Sequence, residues 1–122
     1  MNHESAICLA LIVRSGAYHG RSARDQLDIA LAAASLDWTL ELFFIGDGVT
    51  QLLANSEPCQ ANLPRGQKGW GGLPHMTPIR CWIEAGSRAQ LADAGGLLLE
   101  AEELSARDML ARVQACDHAW VV

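Results

Sequence analysis

The chain has 122 residues, of which 50% are apolar and 19% are charged, and its formal net charge is −5. This length is enough for one domain, residues 1–122, with a core that needs no metal or disulfide framework. The negative net charge argues against direct binding to a nucleic-acid backbone. The low content of charged residues predicts a surface that is partly covered by other chains.

The first half of the sequence predicts two strand-helix pairs. A continuous apolar run from Ala6 to Val13 indicates a strand covered on both faces. Helical spacing of apolar residues follows from Ser22 to Leu36, with Ser22 as the expected N-cap. A second strand is predicted from Trp38 to Ile45, and a short helix from Val49 to Asn55 behind a glycine-rich turn.

The middle of the chain predicts a long loop. From Ser56 to Thr77 the sequence is interrupted repeatedly by proline and glycine and shows little helical periodicity. Trp70 lies in this stretch, and we expect it to be exposed.

The second half continues the alternation of strands and helices. Strands are predicted for Ile79 to Ile83, Leu97 to Ala101 and His118 to Val122. Helices are predicted for Ser87 to Ala94 and, capped by its first residue, for Ser105 to Ala115. The sequence therefore predicts an α/β fold with about five mainly parallel strands and helices on both faces.

Two turns that follow predicted strands hold candidate site residues. The turn after the first strand, Gly16 to Arg21, lacks the G-x-G-x-x-G spacing of a dinucleotide site, and the chain has no P-loop motif. His19 in this turn is either an acid-base group or a hydrogen-bonded turn or interface residue. Asp47, between two glycines, either binds a cation, orients a nucleophile, or is a turn or interface residue that stabilises its own turn and caps the following helix.

The four cysteines are Cys8, Cys59, Cys81 and Cys116, without a C-x-x-C pair or zinc-type spacing. This pattern, with no basic leader and no membrane-length apolar run, predicts a cytoplasmic protein with reduced thiols and no metal or cofactor. Cys81 is the best candidate for a reactive thiol because it lies near a strand-to-helix junction, and the alternative is a packed core thiol.

Three motifs resemble one family. They are Ala17-Tyr18-His19-Gly20, the stretch from Arg24 to Asp28, and the block from Phe43 to Leu53, FFIGDGVTQLL. In these residues the chain is similar to the TusC (DsrF) branch of the DsrE-like proteins. The resemblance covers most of the chain except the stretch from Ser56 to Thr77.

The resemblance implies a five-stranded parallel sheet of the DsrE-like, flavodoxin-related type. It also implies a place in a TusBCD-like heterohexamer, with TusB-like and TusD-like chains, two copies of each. Such a complex relays persulfide sulfur from a TusA-like donor to a TusE-like acceptor, toward 2-thiouridine at the wobble position of tRNA. Relatives of the DsrEFH type serve sulfur oxidation instead, and the residues leave that alternative open.

One departure from the family pattern bears on catalysis. Glu84, interpreted here as a solvated edge residue or a helix cap, falls where some TusC-type sequences carry a cysteine, and a carboxylate cannot carry persulfide sulfur. The resemblance implies that the active cysteine belongs to the TusD-like chain. We therefore predict a structural subunit without direct nucleic-acid or membrane contact. The alternatives are persulfide carriage by Cys81 and a small nucleotide-binding module.

Overall fold

A computed structural model describes residues 7–14, 21–52, 65–87 and 99–121, leaving aside the side chains of residues 21–24, 47, 50, 51 and 65–69. Its centre is a sheet of five strands, all of them parallel to their neighbours. The strands are β1 Cys8–Val13, β2 Thr39–Phe44, β3 Ile79–Glu84, β4 Glu102–Leu104 and β5 His118–Val121. Their order across the sheet is β4-β3-β2-β1-β5.

The described helices are of two kinds. The α-helices are α1, Arg21–Ser35, and α2, Ala106–Ala115. Two 3-10 helices, Gly46–Leu52 and Arg65–His75, lie between β2 and β3. None of these helices is both long enough and apolar enough to cross a bilayer.

The strand order explains why the helices cover both faces. From β1 to β4 the sheet grows in one direction, and right-handed connections then lie on one face. The connection from β4 to β5 returns past β1 and lies on the opposite face. Accordingly, α1 packs on one side of the sheet and α2 on the other.

The face covered by α1 holds the larger core. Alternate residues of the three central strands point into it, and they pack against α1 and the two 3-10 helices. Its largest fully buried side chains are Leu9, Leu11, Leu27, Leu40, Leu42, Phe44, Leu52, Trp70, Leu73 and Ile83. Burying a side chain of this size contributes about 1.5–3 kcal/mol before the entropy cost of ordering it.

The hydrophobic core on the face covered by α2 is smaller. Met109 of α2 packs there on Ala10, Phe43 and Trp82 from three neighbouring strands. The helix begins where predicted, because the Ser105 side chain accepts a hydrogen bond from the Asp108 amide at 3.2 Å.

The sheet and the helices on both faces confirm the predicted fold class, and four of the five strands lie within one or two residues of their predicted bounds. The fourth strand was predicted too early. Residues from Leu99 to Ala101 bring apolar side chains into the core beside α1, and the strand itself is the short edge segment Glu102–Leu104. Ser22, the predicted N-cap, is the second residue of α1, and its side chain lies outside the described part of the structure.

The prediction of a loop from Ser56 to Thr77 was wrong for its second half, where the 3-10 helix Arg65–His75 forms, and residues 56–64 lie outside the described residues. Trp70, expected to be exposed, is fully buried, with its ring edge-on to Phe44 at 5.1 Å between centroids. Trp70 and Leu73 are both buried at a spacing of three, the period of a 3-10 helix. Glycine and proline disfavour an α-helix here but allow this tighter form.

Candidate functional site

The carboxyl edge of the sheet is the first place to look for a site. In open parallel sheets ligands bind outside the carboxyl ends of the strands, where the connections change faces. Here that change falls between β3 and β4, because the segment entering β4 packs beside α1 and the segment leaving it is α2. Glu84 and the following turn lie at this point.

The turn after β2 fits closely against the end of β1. The Ile45 amide donates to the Val13 carbonyl at 3.0 Å, and the Gly48 amide donates to the Ile45 carbonyl at 2.8 Å. Gly46 has φ +52°, in the left-handed region that glycine adopts readily. A Cβ atom on Gly48 would lie 2.0 Å from the Val13 carbonyl oxygen, so this position has no room for a side chain.

Two carboxylates hold the neighbouring turns together. The Gly46 amide donates to Glu84 Oε1 at 2.5 Å, and the Gly86 amide donates to Glu103 Oε2 at 2.7 Å. The Ala85 amide also donates to the Leu104 carbonyl at 2.9 Å. Glu84 is thus exposed, as expected of an edge residue, but it also joins the turn after β2 to the end of β3.

We expect the Glu84→Ala substitution to lower the free energy of unfolding by about 1 kcal/mol, because it leaves the Gly46 amide without its carboxylate and water replaces only part of that bond. Equilibrium unfolding in urea measures the change. The control is Glu100→Ala, which removes an exposed carboxylate just before β4. Equal effects of the two substitutions would show that the bond from Gly46 contributes no stability.

Cys81 lies in the core beside α1. It pairs with Leu42 in the sheet register and is 6% exposed. Burial raises the pKa of its thiol to about 12 from the ordinary value of 9.0. A thiol that keeps its proton is a poor nucleophile, so this environment is that of a packed core residue.

The other predicted site residues are only partly described. His19 lies outside the described residues, as does Cys59. The backbone of Asp47 belongs to the 3-10 helix Gly46–Leu52, and its side chain is not described. The predicted helix from Ser87 to Ala94 also lies, after Ser87, outside the described residues.

A second cluster, at the amino end of the sheet on the face covered by α2, was missed by the sequence analysis. Donor atoms of Cys8, Glu41 and Cys116 lie within 4.8 Å of one another. Glu41 also forms an ion pair with Arg112, at 3.3 Å between Nη1 and Oε1. No local spacing reveals this cluster, because β5 must first lie beside β1 to bring Cys116 to Cys8.

Three of the matches with known proteins point to one family. The family model described as the DsrE/DsrF-like family matches residues 9–119. The chain is 28% identical over 117 residues to a Protein TusC homolog of Aliivibrio fischeri, covering 93% of this chain and 97% of that protein. It is 37% identical over 109 residues to Protein TusC of Escherichia coli, covering 86% and 91%. These matches confirm the resemblance seen in the motifs.

A solved structure also resembles the model. The crystal structure of the ychN protein from E. coli matches it with a TM-score of 0.76, covering 95% of this chain and 99% of that one. The two sequences are 13% identical, so the likeness concerns the fold alone.

Proposed function

The chain belongs to the DsrE/DsrF-like family, and from that membership we propose that it is the TusC-like subunit of a sulfur-relay complex. In this proposal it assembles in the cytoplasm with TusB-like and TusD-like chains, two copies of each. The complex passes sulfur from a TusA-like donor to a TusE-like acceptor for 2-thiolation of the tRNA wobble uridine. The chain itself has a structural role.

The environment of Cys81 is the observation that carries the structural role. A persulfide carrier needs an exposed sulfur that ionises near neutral pH. Cys81 is 6% exposed and burial raises its pKa to about 12. At the carboxyl end of the same strand, Glu84 offers a carboxylate that is already bonded to Gly46.

Exposed apolar side chains support assembly with other chains. Trp120 and Val121 of β5 are 46% and 58% exposed, and Leu110 of α2 is 58% exposed. Strand β5 is at one end of the sheet, next to β1. Large exposed apolar side chains on an edge strand favour contact with a partner. The partner would remove these side chains from water and could pair with the backbone groups of the edge.

Co-expression with TusB-like and TusD-like chains from the same genome tests the assembly. We expect one complex with the mass of two copies of each chain, measured by light scattering after size-exclusion chromatography. Substituting Trp120→Ser should weaken it, whereas Met76→Ser, at another exposed apolar residue, serves as the control. A chain that stays monomeric with both partners present would contradict the proposal.

The structural role is tested with the same complex. We expect Cys81→Ala to leave the transfer of labelled sulfur from donor to acceptor within about twofold of the unsubstituted complex, because a protonated core thiol takes no part in exchange. Loss of labelling of this chain together with loss of transfer would show instead that Cys81 carries the sulfur.

A further inference from the structure

Two cysteines far apart in sequence lie in contact. The Sγ atoms of Cys8 and Cys116 are 2.9 Å apart, although the two residues are 108 positions apart in the sequence. Both side chains are half-buried and neither is in a disulfide. The contact places two thiols at the amino end of β1, on the opposite edge from Glu84.

The backbone holds the pair in register. The Cys8 amide donates to Asp117 Oδ2 at 2.8 Å, and the Asp117 amide donates back to the Cys8 carbonyl at 2.9 Å. Cys116 is the C-cap of α2, with its amide bonded to the Val113 carbonyl. The sulfur atoms are therefore presented by a helix end and a strand that are fixed to each other.

A carboxylate faces the pair. Glu41 Oε1 accepts bonds from Trp82 Nε1 at 3.0 Å and from Arg112 Nη1 at 3.3 Å. The Arg112 guanidinium also lies over the Trp82 ring, 4.2 Å from its centroid. The Cys116 Sγ atom donates to the other oxygen, Glu41 Oε2, at 4.0 Å.

The charges favour thiol chemistry over metal binding. Among the described residues the cluster supplies three donors, whereas a structural zinc ion takes four. The Arg112 guanidinium already neutralises Glu41, and it would repel a divalent cation placed between Glu41 and the sulfur atoms. Two thiols in contact suit the formation of a sulfur-sulfur bond.

We propose that Cys8 and Cys116 form a dithiol site that reacts with small disulfides and closes to an intramolecular disulfide. The Cys8 thiolate attacks one sulfur of a disulfide RSSR, forming a mixed disulfide and releasing one thiolate RS⁻. Cys116 then loses its proton to water and attacks Cys8 Sγ, which breaks the mixed disulfide and releases the second RS⁻. With protons returned to the released thiolates, the sum is one dithiol plus RSSR giving one protein disulfide plus two RSH.

The two cysteines have different parts in this exchange. Burial, the bond to Cys8 and the nearby carboxylates of Glu41 and Asp117 raise the pKa of Cys116 to about 12. Cys116 therefore keeps its proton in the free protein and is the second to react. Cys8 is the entry point, and Glu41 is a positioning residue that holds the Cys116 thiol through its hydrogen bond.

Glutathione disulfide is the probe. The full chain is incubated with it, the remaining thiols are blocked, and peptides are mapped by mass spectrometry. We expect a linked Cys8–Cys116 peptide that forms at least about tenfold faster than any linkage involving Cys59 or Cys81 and that glutathione reduces again, because contact between the sulfur atoms favours their exchange. Separate blocking of Cys8 and Cys116 without any linkage would overturn the proposal.

Variants test the order of the steps. Cys116→Ser should accumulate glutathione on Cys8, whereas Cys8→Ser should leave Cys116 unmodified over the same time. Glu41→Gln should speed closure of the mixed disulfide without changing the rate of its formation, because the Glu41 carboxylate is one of the groups that raise the pKa of Cys116. Stoichiometric zinc binding that protects both thiols and prevents closure would overturn the proposal in favour of a metal site. The mapping of the unsubstituted chain stands even where a variant fails to fold.

Discussion

Replacing Gly48 by alanine is expected to lower the free energy of unfolding by about 3 kcal/mol or more. The new Cβ atom would lie 2.0 Å from the Val13 carbonyl oxygen and 2.7 Å from its carbon, and both are backbone atoms that cannot rotate away. The start of the 3-10 helix must then move off the end of β1, which weakens the bond between Ile45 and Val13. Urea unfolding followed by circular dichroism measures the loss.

Two other glycines separate the possible causes of this loss. Gly46→Ala meets no atom within 4 Å but has φ +52°, so we expect it to cost about 1–2 kcal/mol through backbone conformation alone. Gly72→Ala also meets no atom within 4 Å and has no positive φ, so its effect should be within about 1 kcal/mol. If Gly48→Ala costs no more than Gly72→Ala, the close approach to Val13 does not restrict this position.

Periodicity predicted the centre of the sheet because strands β1, β2 and β3 are mostly buried on both faces. Continuous apolar runs such as Ala6 to Val13 have no other simple explanation at this length, and the chain order of strands and helices then favours parallel pairing. The block from Phe43 to Leu53 identified the family because several structural requirements fall on neighbouring residues. It combines a buried strand, a turn with no room for a side chain, and the start of the next helix in one continuous stretch.

The contacts that define the two edges could not be read from the sequence. The bond from Gly46 to Glu84 joins residues 38 positions apart, and the contact between Cys8 and Cys116 spans 108. Both depend on which strands are neighbours, and chain order alone does not give that arrangement. The burial of Trp70 was predicted wrongly for a different reason. In a stretch rich in glycine, a spacing of three between buried residues does not distinguish a 3-10 helix from an irregular loop.

The difference between the two edges has a consequence for the sulfur chemistry. At the carboxyl edge, described residues close to Glu84 are occupied with holding turns together, and the sulfur of Cys81 is enclosed in the core. At the amino end, Cys8 and Cys116 are half-buried and in contact. Among the thiols that the structure describes, those at the amino end are therefore the ones that reagents in solution should reach first.

Removing the Cys81 thiol is expected to change how stability depends on pH. In the unfolded chain a cysteine ionises near 9.0, whereas burial holds the pKa of Cys81 at about 12 in the folded protein. Between these values the unfolded state binds fewer protons, so the stability present below pH 9 falls as pH rises. The loss is about 1.4 kcal/mol per pH unit in this window, roughly 4 kcal/mol in all.

The measurement compares Cys81→Ala with the unsubstituted chain by urea unfolding at intervals from pH 8 upward. Their difference in stability should shrink or reverse above pH 9, because only the unsubstituted chain keeps a proton on a buried thiol. Ile83→Val, two residues along β3 and also buried, is the matched control. It should lower the free energy of unfolding by about 0.5–1.5 kcal/mol, and this decrease should be the same at every pH. If the stabilities of Cys81→Ala and of the unsubstituted chain instead change in parallel with pH, the Cys81 thiol ionises in the native state. The proposal of a structural subunit would then lose its main support.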